Sequence, residues 1–445
     1  MTSSHPRPAR CQWFSRLASA LDRRSTPRLA LLFLGAVLAR GRRTVTTWIR
    51  AAGLSGQYQA CYLAVAAAGK KAETIAAYLV TVVIKPLLSG VERVTLAVDD
   101  TPTRRYGPHV QGAGVHHNPT PGPAGAPYVY GHVFVVLGLL AIHPAWGVVA
   151  LPLLSRLYVR KKDLPNIDPK HRPEFRTKLE LAVDLLRWAK PWLGLLGKPL
   201  WVVADGAYAK KEFLKPAIGL GMTVVSRLRC DAALWSLPPV IPPDRKGPGR
   251  PRVYGTERIS LAKRGGQRRG WTNEAFTLYG ERVTKRYKTF LATWRPAGGV
   301  FRVVLVDEPA GWRAYFCTDP SASVADILGA VADRFSLEIT FRDCKQVVGA
   351  GQQQVRFVWA NIGAFHVCLW TFTMTEAWAW GRPADELVDR SASPWDSPLR
   401  RPSHADKRRA WRRELLGEEI RAALRPGVAE EEIQAAAERL LSLAA

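Results

Sequence analysis

Negatively charged residues are scarce in this chain. Its 445 residues include 37 Asp and Glu against 64 Lys and Arg, which leaves a formal net charge of +27. Such a surplus argues against a simple metabolic enzyme and indicates a polyanionic partner, most often nucleic acid. A solvated basic surface or a codon bias toward Arg and Ala is the alternative, but the size of the surplus favours nucleic acid.

Cysteines are few and dispersed. The six of them form no CxxC pair, so neither a disulfide framework nor a zinc finger is expected. Free thiols fit a reducing compartment. We therefore expect a cytoplasmic protein, associated with the nucleoid if it binds DNA.

Long hydrophobic runs are also missing. Residues 106–155 contain no Asp, Glu, Lys or Arg, yet their most apolar part, 133–142, is only ten residues long. A membrane-spanning helix needs about 20 apolar residues. His, Pro and Gly within 143–147 then separate this part from a second apolar run, 148–154. The β-branched content predicts two buried strands and no membrane partner.

The chain length suggests two to four domains, at roughly 100–200 residues each. A basic arm and short helices over 1–90 predict either a helix-turn-helix-like DNA-binding unit or a plain helical bundle. Strands alternate with helices over 91–228 and again over 313–380, which predicts an α/β sheet with parallel members. Residues 229–312 indicate a β-rich insertion, and 381–445 a charged C-terminal tail.

Two acidic residues follow predicted buried strands. Asp99 comes after the strand 94–98, and Asp205 after the strand 199–204. Sites in open α/β sheets form beyond the carboxyl ends of strands. Carboxylates brought together there repel each other unless a hard divalent cation lies between them. Asp100 is the rival to Asp99, and because neighbouring strand residues point to opposite sides, only one can be the principal ligand.

A third acid, Glu338, lies in a helix for which Ser323 is a predicted N-cap. Arg334 precedes Glu338 by four residues and Lys345 follows it by seven, offsets that predict one shared helix face. A metal-binding Glu flanked by cations suits phosphodiester chemistry. The alternative is an exposed, salt-bridged helix face.

The motifs around these acids resemble those of insertion-sequence transposases of the DDE superfamily, in the group that carries a β-rich insertion. In that group the first Asp stands in D-x-T, as in residues 99–101. The second stands in D-x-[G/A]-[Y/F], as in residues 205–208, where Tyr208 fills the aromatic position. The resemblance covers residues 90–375.

The third motif of this group is Y-x2-R-x3-E-x6-K. Arg334, Glu338 and Lys345 match it at full spacing, whereas Val331 stands where the group has tyrosine. The departure removes one supporting contact to phosphate but leaves the metal ligands in place.

The resemblance implies an α/β fold with an RNase H-like (retroviral-integrase-like) catalytic core, interrupted by the β-rich insertion and preceded by an N-terminal helical domain. Asp99, Asp205 and Glu338 would be catalytic and would bind two Mg²⁺ (or Mn²⁺) ions. Arg334, Lys345 and Tyr208 would contact phosphate. The enzyme would cut at the terminal inverted repeats of its element by in-line attack and join the ends to target DNA.

Further DNA contacts are predicted outside the three motifs. Arg250 is the arginine of a Gly-Arg-Pro sequence that Lys246 and Arg252 flank. This segment predicts either an Arg inserted in a minor groove or a basic loop that grips phosphates without sequence choice. In related transposases an aromatic residue of the insertion stacks on a flipped base. Trp271 and Trp294 are candidates for this role, with core packing as the alternative for both.

The resemblance also implies partners, namely double-stranded DNA (terminal inverted repeats and target) and a second copy of the chain in a synaptic homodimer. Two other functions stay open on the sequence alone. One is a non-catalytic DNA-binding protein derived from a transposase, and the other is a metal-dependent nuclease without strand transfer.

Overall fold

Strands and helices alternate along much of the chain in a computed structural model that describes residues 11–117, 125–239, 252–391 and 393–444. The described strands are β1 (Val94–Arg104), β2 (Gly114–His117), β3 (Tyr128–His143), β4 (Gly147–Tyr158), β5 (Leu200–Ala204), β6 (Thr223–Leu228), β7 (Leu234–Trp235), β8 (Arg258–Ile259), β9 (Thr272–Leu278), β10 (Glu281–Trp294), β11 (Gly299–Asp307) and β12 (Arg313–Cys317). The described α-helices are α1 (Cys11–Ala18), α2 (Ser25–Leu38), α3 (Val45–Ala51), α4 (Tyr58–Lys70), α5 (Ala72–Leu79), α6 (Lys178–Gly194), α7 (Lys211–Gly219), α8 (Leu261–Gly266), α9 (Val324–Asp343), α10 (Val358–Ala379), α11 (Ala384–Leu387), α12 (His404–Ala423) and α13 (Glu430–Ala444).

The fold is mixed α/β, built on one central sheet with both parallel and antiparallel pairs. Its strand order is β2-β3-β1-β5-β6-β12-β11-β10-β7-β8, with β4 also paired to β3 and β9 to β10. Strands β1, β5 and β6 are parallel to one another, and the other pairs in the described chain are antiparallel. Strands β7 to β11, within the predicted insertion 229–312, continue the same sheet through β12.

The first strand is longer than its apolar pattern predicts. The sequence places Asp99 just beyond a strand that ends at Val98, but β1 runs on to Arg104 because it pairs with β3 as far as Gly131. Asp99 therefore lies within β1. Its other neighbour, β5, does stop at Ala204, directly opposite Val98. The expectation that Asp99 ends its strand is thus wrong, whereas the one for Asp205 is confirmed.

Helix α9 crosses the sheet and carries the third predicted acid. Its N-terminus is capped as predicted, since Ser323 Oγ accepts a hydrogen bond from the Asp326 amide. Farther along, Leu337 packs closely on the backbone of β3 at Gly138, and Thr340 Oγ1 donates to the Ala150 carbonyl of β4 at 2.9 Å. These contacts fix how the middle of α9 lies on the sheet.

Helix α10 forms the centre of the helical part of the core. It is apolar on all sides and almost wholly buried, as expected of a helix surrounded by protein. Helix α4 crosses it at two glycines: a Cβ on Gly363 would lie 1.8 Å from the Val65 carbonyl oxygen, and one on Gly69 would lie 2.1 Å from the Trp359 carbonyl oxygen. The N-terminal helices therefore share one hydrophobic core with α10 and the sheet.

The basic residues within 407–413, near the C-terminus, lie partly inside the fold. On α12, Lys407 Nζ donates to Glu376 Oε2 at 2.5 Å, and His404 Nδ1 lies 2.6 Å from Glu376 Oε1. Burial alone would raise the pKa of Glu376, but Lys407 and His404 outweigh burial and lower it to about 2. Arg408 is also buried and donates to the carbonyls of α2 and its C-cap. These cations lie inside the fold and are not surface charges.

No helix in the part of the chain that the structure describes combines the length and apolar character needed to cross a membrane.

The tight crossing of α4 and α10 yields a stability prediction. Gly363→Ala places a methyl group inside the Val65 carbonyl and should destabilise the protein by about 2 kcal/mol or more, since overpacking a close contact forces the helices apart. The control is Gly329→Ala on α9, where a Cβ meets nothing within 4 Å and should stabilise by about 0.5–1 kcal/mol. Thermal melting of both variants checks this. Equal melting temperatures would contradict it.

Candidate active site

The parallel pairing of β1 and β5 brings two predicted acids together. Val98 is paired with Ala204, so Asp99 and Asp205 occupy the next position of the same register. The electrostatic interaction with Asp205 is one of the causes that raise the pKa of Asp99. The structure therefore brings these two carboxylates together at the carboxyl edge of β5.

Arg334 links the third acid to the first. Its Nη1 donates to Asp99 Oδ2 at 2.6 Å and its Nη2 donates to Glu338 Oε1 at 2.8 Å. The interaction with Glu338 is the four-residue helical contact that the spacing predicts. The interaction with Asp99 joins residues 235 positions apart. One guanidinium thus bridges two of the three acids, and Asp205 also acts on it electrostatically.

The pKa of Asp99 is raised by its surroundings. Burial raises its pKa to about 6, Arg334 opposes this shift, and the nearby charges of Asp100 and Asp205 add to it. The Asp100 amide donates to Asp99 Oδ1 at 2.8 Å, which favours the ionised form. Perturbed acids of this kind cluster at functional sites because several like charges are held close together there.

Asp100 takes part in a separate cluster with Lys178 at the start of α6. Lys178 Nζ donates to Asp100 Oδ2 at 2.7 Å, and the Tyr208 hydroxyl donates a long hydrogen bond of 3.4 Å to Asp100 Oδ1. Tyr208 itself is only 2% exposed. Its hydroxyl is therefore engaged with Asp100 rather than directed to a phosphate. Asp99 and Asp100 have different cationic partners, as their alternation along a strand requires.

The donor set suits a hard divalent cation, because Asp99, Asp205 and Glu338 supply carboxylate oxygens from three segments. No group of three His, Cys, Asp or Glu in the described ranges is already arranged to hold a metal ion. The guanidinium of Arg334 lies between Asp99 and Glu338. An ion shared by these two carboxylates requires this side chain to move away from at least one of them.

Two of the residues predicted to contact phosphate, Lys345 and Arg252, form no ion pair with these acids. Lys345 follows α9 in a π-helical turn, Cys344–Val348, where burial lowers its pKa. The described residues place no carboxylate within ion-pair distance of it. Arg252 is exposed in a loop. Lys246 and Arg250 lie outside the described residues.

The two candidate tryptophans differ in their surroundings. Trp294 is 8% exposed and packs against Phe301 and Phe316, with ring centroids 5.9 and 5.5 Å away. That position is core packing and leaves little of the ring for a base. Trp271 is half-buried, and the Lys288 ammonium lies 4.7 Å from its ring centroid. The structure therefore favours Trp271 over Trp294 as an aromatic surface beside cations.

Sequence reasoning missed two features of the site. Lys178 is the first residue of α6, and no motif signals that it reaches Asp100. The other is a cavity beside Asp205 that Arg227, Arg313 and Trp312 help to line. Its basic residues come from β6 and β12, which are neighbours only in the folded sheet.

The raised pKa of Asp99 predicts how stability depends on pH. The unfolded carboxyl loses its proton near pH 4, but the folded one keeps it to about pH 6. Stability should therefore fall as pH rises from 4 to 6 and stay lowered above it. In metal-free buffer, Asp99→Asn should be more stable than wild type at pH 7.5, by at most about 2–3 kcal/mol. The gain should vanish near pH 4.

Melting temperatures across this pH range test the prediction, with Asp385→Asn on the exposed side of α11 as the control. The control should show no pH-dependent gain. If the Asp99→Asn protein is less stable than wild type at pH 7.5, ionisation of Asp99 does not destabilise the folded protein, and the prediction is wrong.

Comparison with known proteins identifies the family of the chain. A family described as DDE superfamily endonuclease matches residues 16–298, more than half of the chain. The match includes Asp99 and Asp205 and ends before Glu338. A search of the curated proteins gives no match. Because the family match covers more than half of the chain, the chain belongs to the DDE superfamily of endonucleases.

Proposed function

We propose that this chain is a DNA transposase that cuts at the terminal inverted repeats of an insertion sequence and joins the ends to target DNA. The observation that carries the proposal is the meeting of Asp99, Asp205 and Glu338 around Arg334. Family membership supports nuclease chemistry. Strand transfer and the identity of the DNA go beyond it.

The arrangement of the sheet supports an RNase H-like core. Such a core would have Asp99 and Asp205 on adjacent strands and Glu338 on a helix packed against them. Here β1 and β5 are parallel neighbours, and α9 lies across the sheet through Leu337 and Thr340. On this interpretation residues 91–228 and 313–380 form the core, and 229–312 is its insertion.

Asp99, Asp205 and Glu338 would hold two Mg²⁺ (or Mn²⁺) ions. Bound there, the ions would activate the attacking water or 3′-hydroxyl and stabilise the charge of the leaving oxygen. The protein's own contribution is orientation. Lys178 and Tyr208 hold Asp100 on one side of β1, and the Asp100 amide in turn fixes the Asp99 carboxylate.

Arg334 would have two partners in turn. Without DNA its guanidinium neutralises Asp99 and Glu338. When cations replace it there, the same guanidinium is free to donate two parallel hydrogen bonds to a phosphate of the DNA. In this way a positive charge, from Arg334 or from the cations, neutralises the carboxylates both with and without DNA.

Replacing any one of the three acids tests the active site. Asp99→Ala, Asp205→Ala or Glu338→Ala should abolish cleavage, by roughly a thousandfold or more, and leave DNA affinity within about threefold, because they remove ion ligands and no DNA-binding cation. The substrate is DNA that carries the ends of the element, with Mg²⁺, and both cleaved and joined strands are measured on denaturing gels.

Glu386→Ala is the matched control, since Glu386 is also paired with an Arg four residues before it and lies in a helix. It should cut and join normally. Cleavage without joining by wild type would identify a nuclease without strand transfer. Binding without cleavage by wild type would identify a non-catalytic DNA-binding protein.

Cleavage should depend on pH through Asp99. The carboxyl must lose its proton to hold an ion, and its pKa is about 6 without metal. The rate should therefore fall as pH drops through about 6, and higher Mg²⁺ should move the midpoint to lower pH, because metal and proton compete for one group. Initial rates from pH 5 to 8 at two Mg²⁺ concentrations measure this. A midpoint that does not respond to Mg²⁺ would exclude Asp99 as the group.

A further inference from the structure

A second basic site lies away from the three acids. A cleft of about 420 Å³ opens between the end of β1, the segment before α10 and the loop between α2 and α3. Its lining contains four arginines, one histidine and no Asp or Glu. The basic residues of the lining are Arg42, Arg104, Arg105, His109 and Arg356. A lining that contains four arginines and no acidic residue is typical of an anion-binding site.

Arg105 is a buried cation whose partners are all neutral. It is 5% exposed, and its Nε donates to His132 Nδ1 at 3.0 Å and to Asn361 Oδ1 at 3.1 Å. Its Nη1 donates to the carbonyls of Arg104 and Gly351. Its Nη2 has no hydrogen-bond partner although it is buried. No carboxylate of the described residues forms an ion pair with it, so a charge has been buried without a counterion.

Such an arrangement is costly unless a ligand completes it. A buried guanidinium without an opposite charge loses hydration and regains it only in part through neutral acceptors. An unpaired buried N–H adds a further cost of roughly 1–3 kcal/mol. Functional sites are where such costs persist. An anion that enters the cleft would supply both the missing charge and an acceptor for Nη2.

The cleft is also built to keep its shape. Gly351 has a φ of +96°, and a Cβ there would lie 3.2 Å from the Thr103 Cβ, so a glycine lets this loop approach β1 and offer its carbonyl to Arg105. Gln353 is buried and its Nε2 donates to the carbonyls of Arg43 and Gly349 at 2.9 and 2.8 Å. These bonds hold the loop against the N-terminal segment before any ligand arrives.

The open rim supplies further positive charge. Arg42, Arg104 and Arg356 are exposed and come from three separate segments. None of them has an ion-pair partner among the described residues. Their side chains are free to meet an extended anion that passes over the cleft.

We propose that this cleft binds a phosphate group of a DNA strand, with Arg105 at its base and Arg42, Arg104 and Arg356 at its rim. The inference rests on the proposed function for the identity of the polyanion. A free phosphate ion has the same oxygen chemistry. DNA is favoured because the cleft is far larger than one water molecule, about 30 Å³, or one small oxyanion, and because three rim cations from separate segments suit a chain of phosphates.

The cleft lies at a useful distance from the acids. Arg104 follows Asp99 by five residues on β1, which corresponds to roughly 17 Å of extended strand. One DNA strand carries a phosphate about every 3.4 Å along the helix axis. The cleft would therefore hold the backbone roughly five nucleotides from the bond that is cut, and it would set the position of the strand in the active site.

Fluorescence anisotropy with a labelled DNA duplex tests the proposal, in EDTA so that no cleavage occurs. The double variant Arg104→Gln/Arg356→Gln should bind at least tenfold more weakly near 100 mM salt, and its slope of log affinity against log salt should shrink by about two. The control Arg421→Gln/Arg425→Gln removes two exposed arginines of the C-terminal region and should change affinity less than threefold. Equal losses in both proteins would overturn the proposal.

A second pair of variants examines the base of the cleft. Arg105→Lys keeps the charge but not the planar fork, and Arg105→Gln removes the charge; both should weaken binding, the Gln variant more. Thermal melting identifies a variant that fails to fold, in which case the rim variant decides. If a few millimolar inorganic phosphate displaces the duplex from wild type at constant ionic strength, the site belongs to a free anion, which overturns the assignment to DNA.

This inference and the proposed function fail separately. A chain that binds DNA through the cleft but never cuts it would refute the transposase proposal and leave the cleft assignment standing. If the chain cuts and joins DNA but the rim variant binds DNA like wild type, the cleft assignment is refuted and the transposase proposal stands.

Discussion

The repulsion among carboxylates at one edge of the sheet is the constraint around which the site is organised. Asp99 and Asp205 are brought together because β1 and β5 are parallel neighbours, Asp100 adjoins Asp99 in the sequence, and burial makes the charge of Asp99 costlier still. Two cations from different helices compensate these negative charges. Arg334 of α9 compensates Asp99, and Lys178 of α6 compensates Asp100. The position of both helices on the sheet is therefore coupled to the electrostatics of the acids.

The proposed function requires divalent cations at carboxylates that Arg334 occupies in this structure. A guanidinium can neutralise two carboxylates, but it cannot polarise a phosphodiester as a divalent ion does. Burial raises the pKa of Asp99 although Arg334 opposes the shift. Stability given up at such a position is the usual sign of a group kept for chemistry. Membership of the DDE superfamily of endonucleases gives that chemistry a class, and the proposal of transposition gives it a substrate.

The basic residues of the chain lie in two kinds of environment. Some cations are internal, such as Lys407 against Glu376 and Arg408 against backbone carbonyls of the α2 region. Others line open surfaces without a partner, as Arg104 and Arg356 do at the cleft. Net charge alone indicates a polyanion but does not say which cations meet it. Burial and pairing make that distinction, and they locate the unpaired cations beside the strand that carries Asp99.

Local sequence determined the elements and the order of the acids. Apolar runs predicted the strands before Asp99 and Asp205, and Ser323 predicted the start of α9. The sequence alone was enough for these predictions because such patterns depend on neighbours within a few residues. Tertiary structure alone decided that β1 continues past Asp99, since that depends on pairing with β3. It also decided that Arg334 bridges Asp99 and Glu338, that Tyr208 is buried, and that Arg105 lacks a counterion. These are contacts between distant segments, and their geometry exists only once the chain has packed.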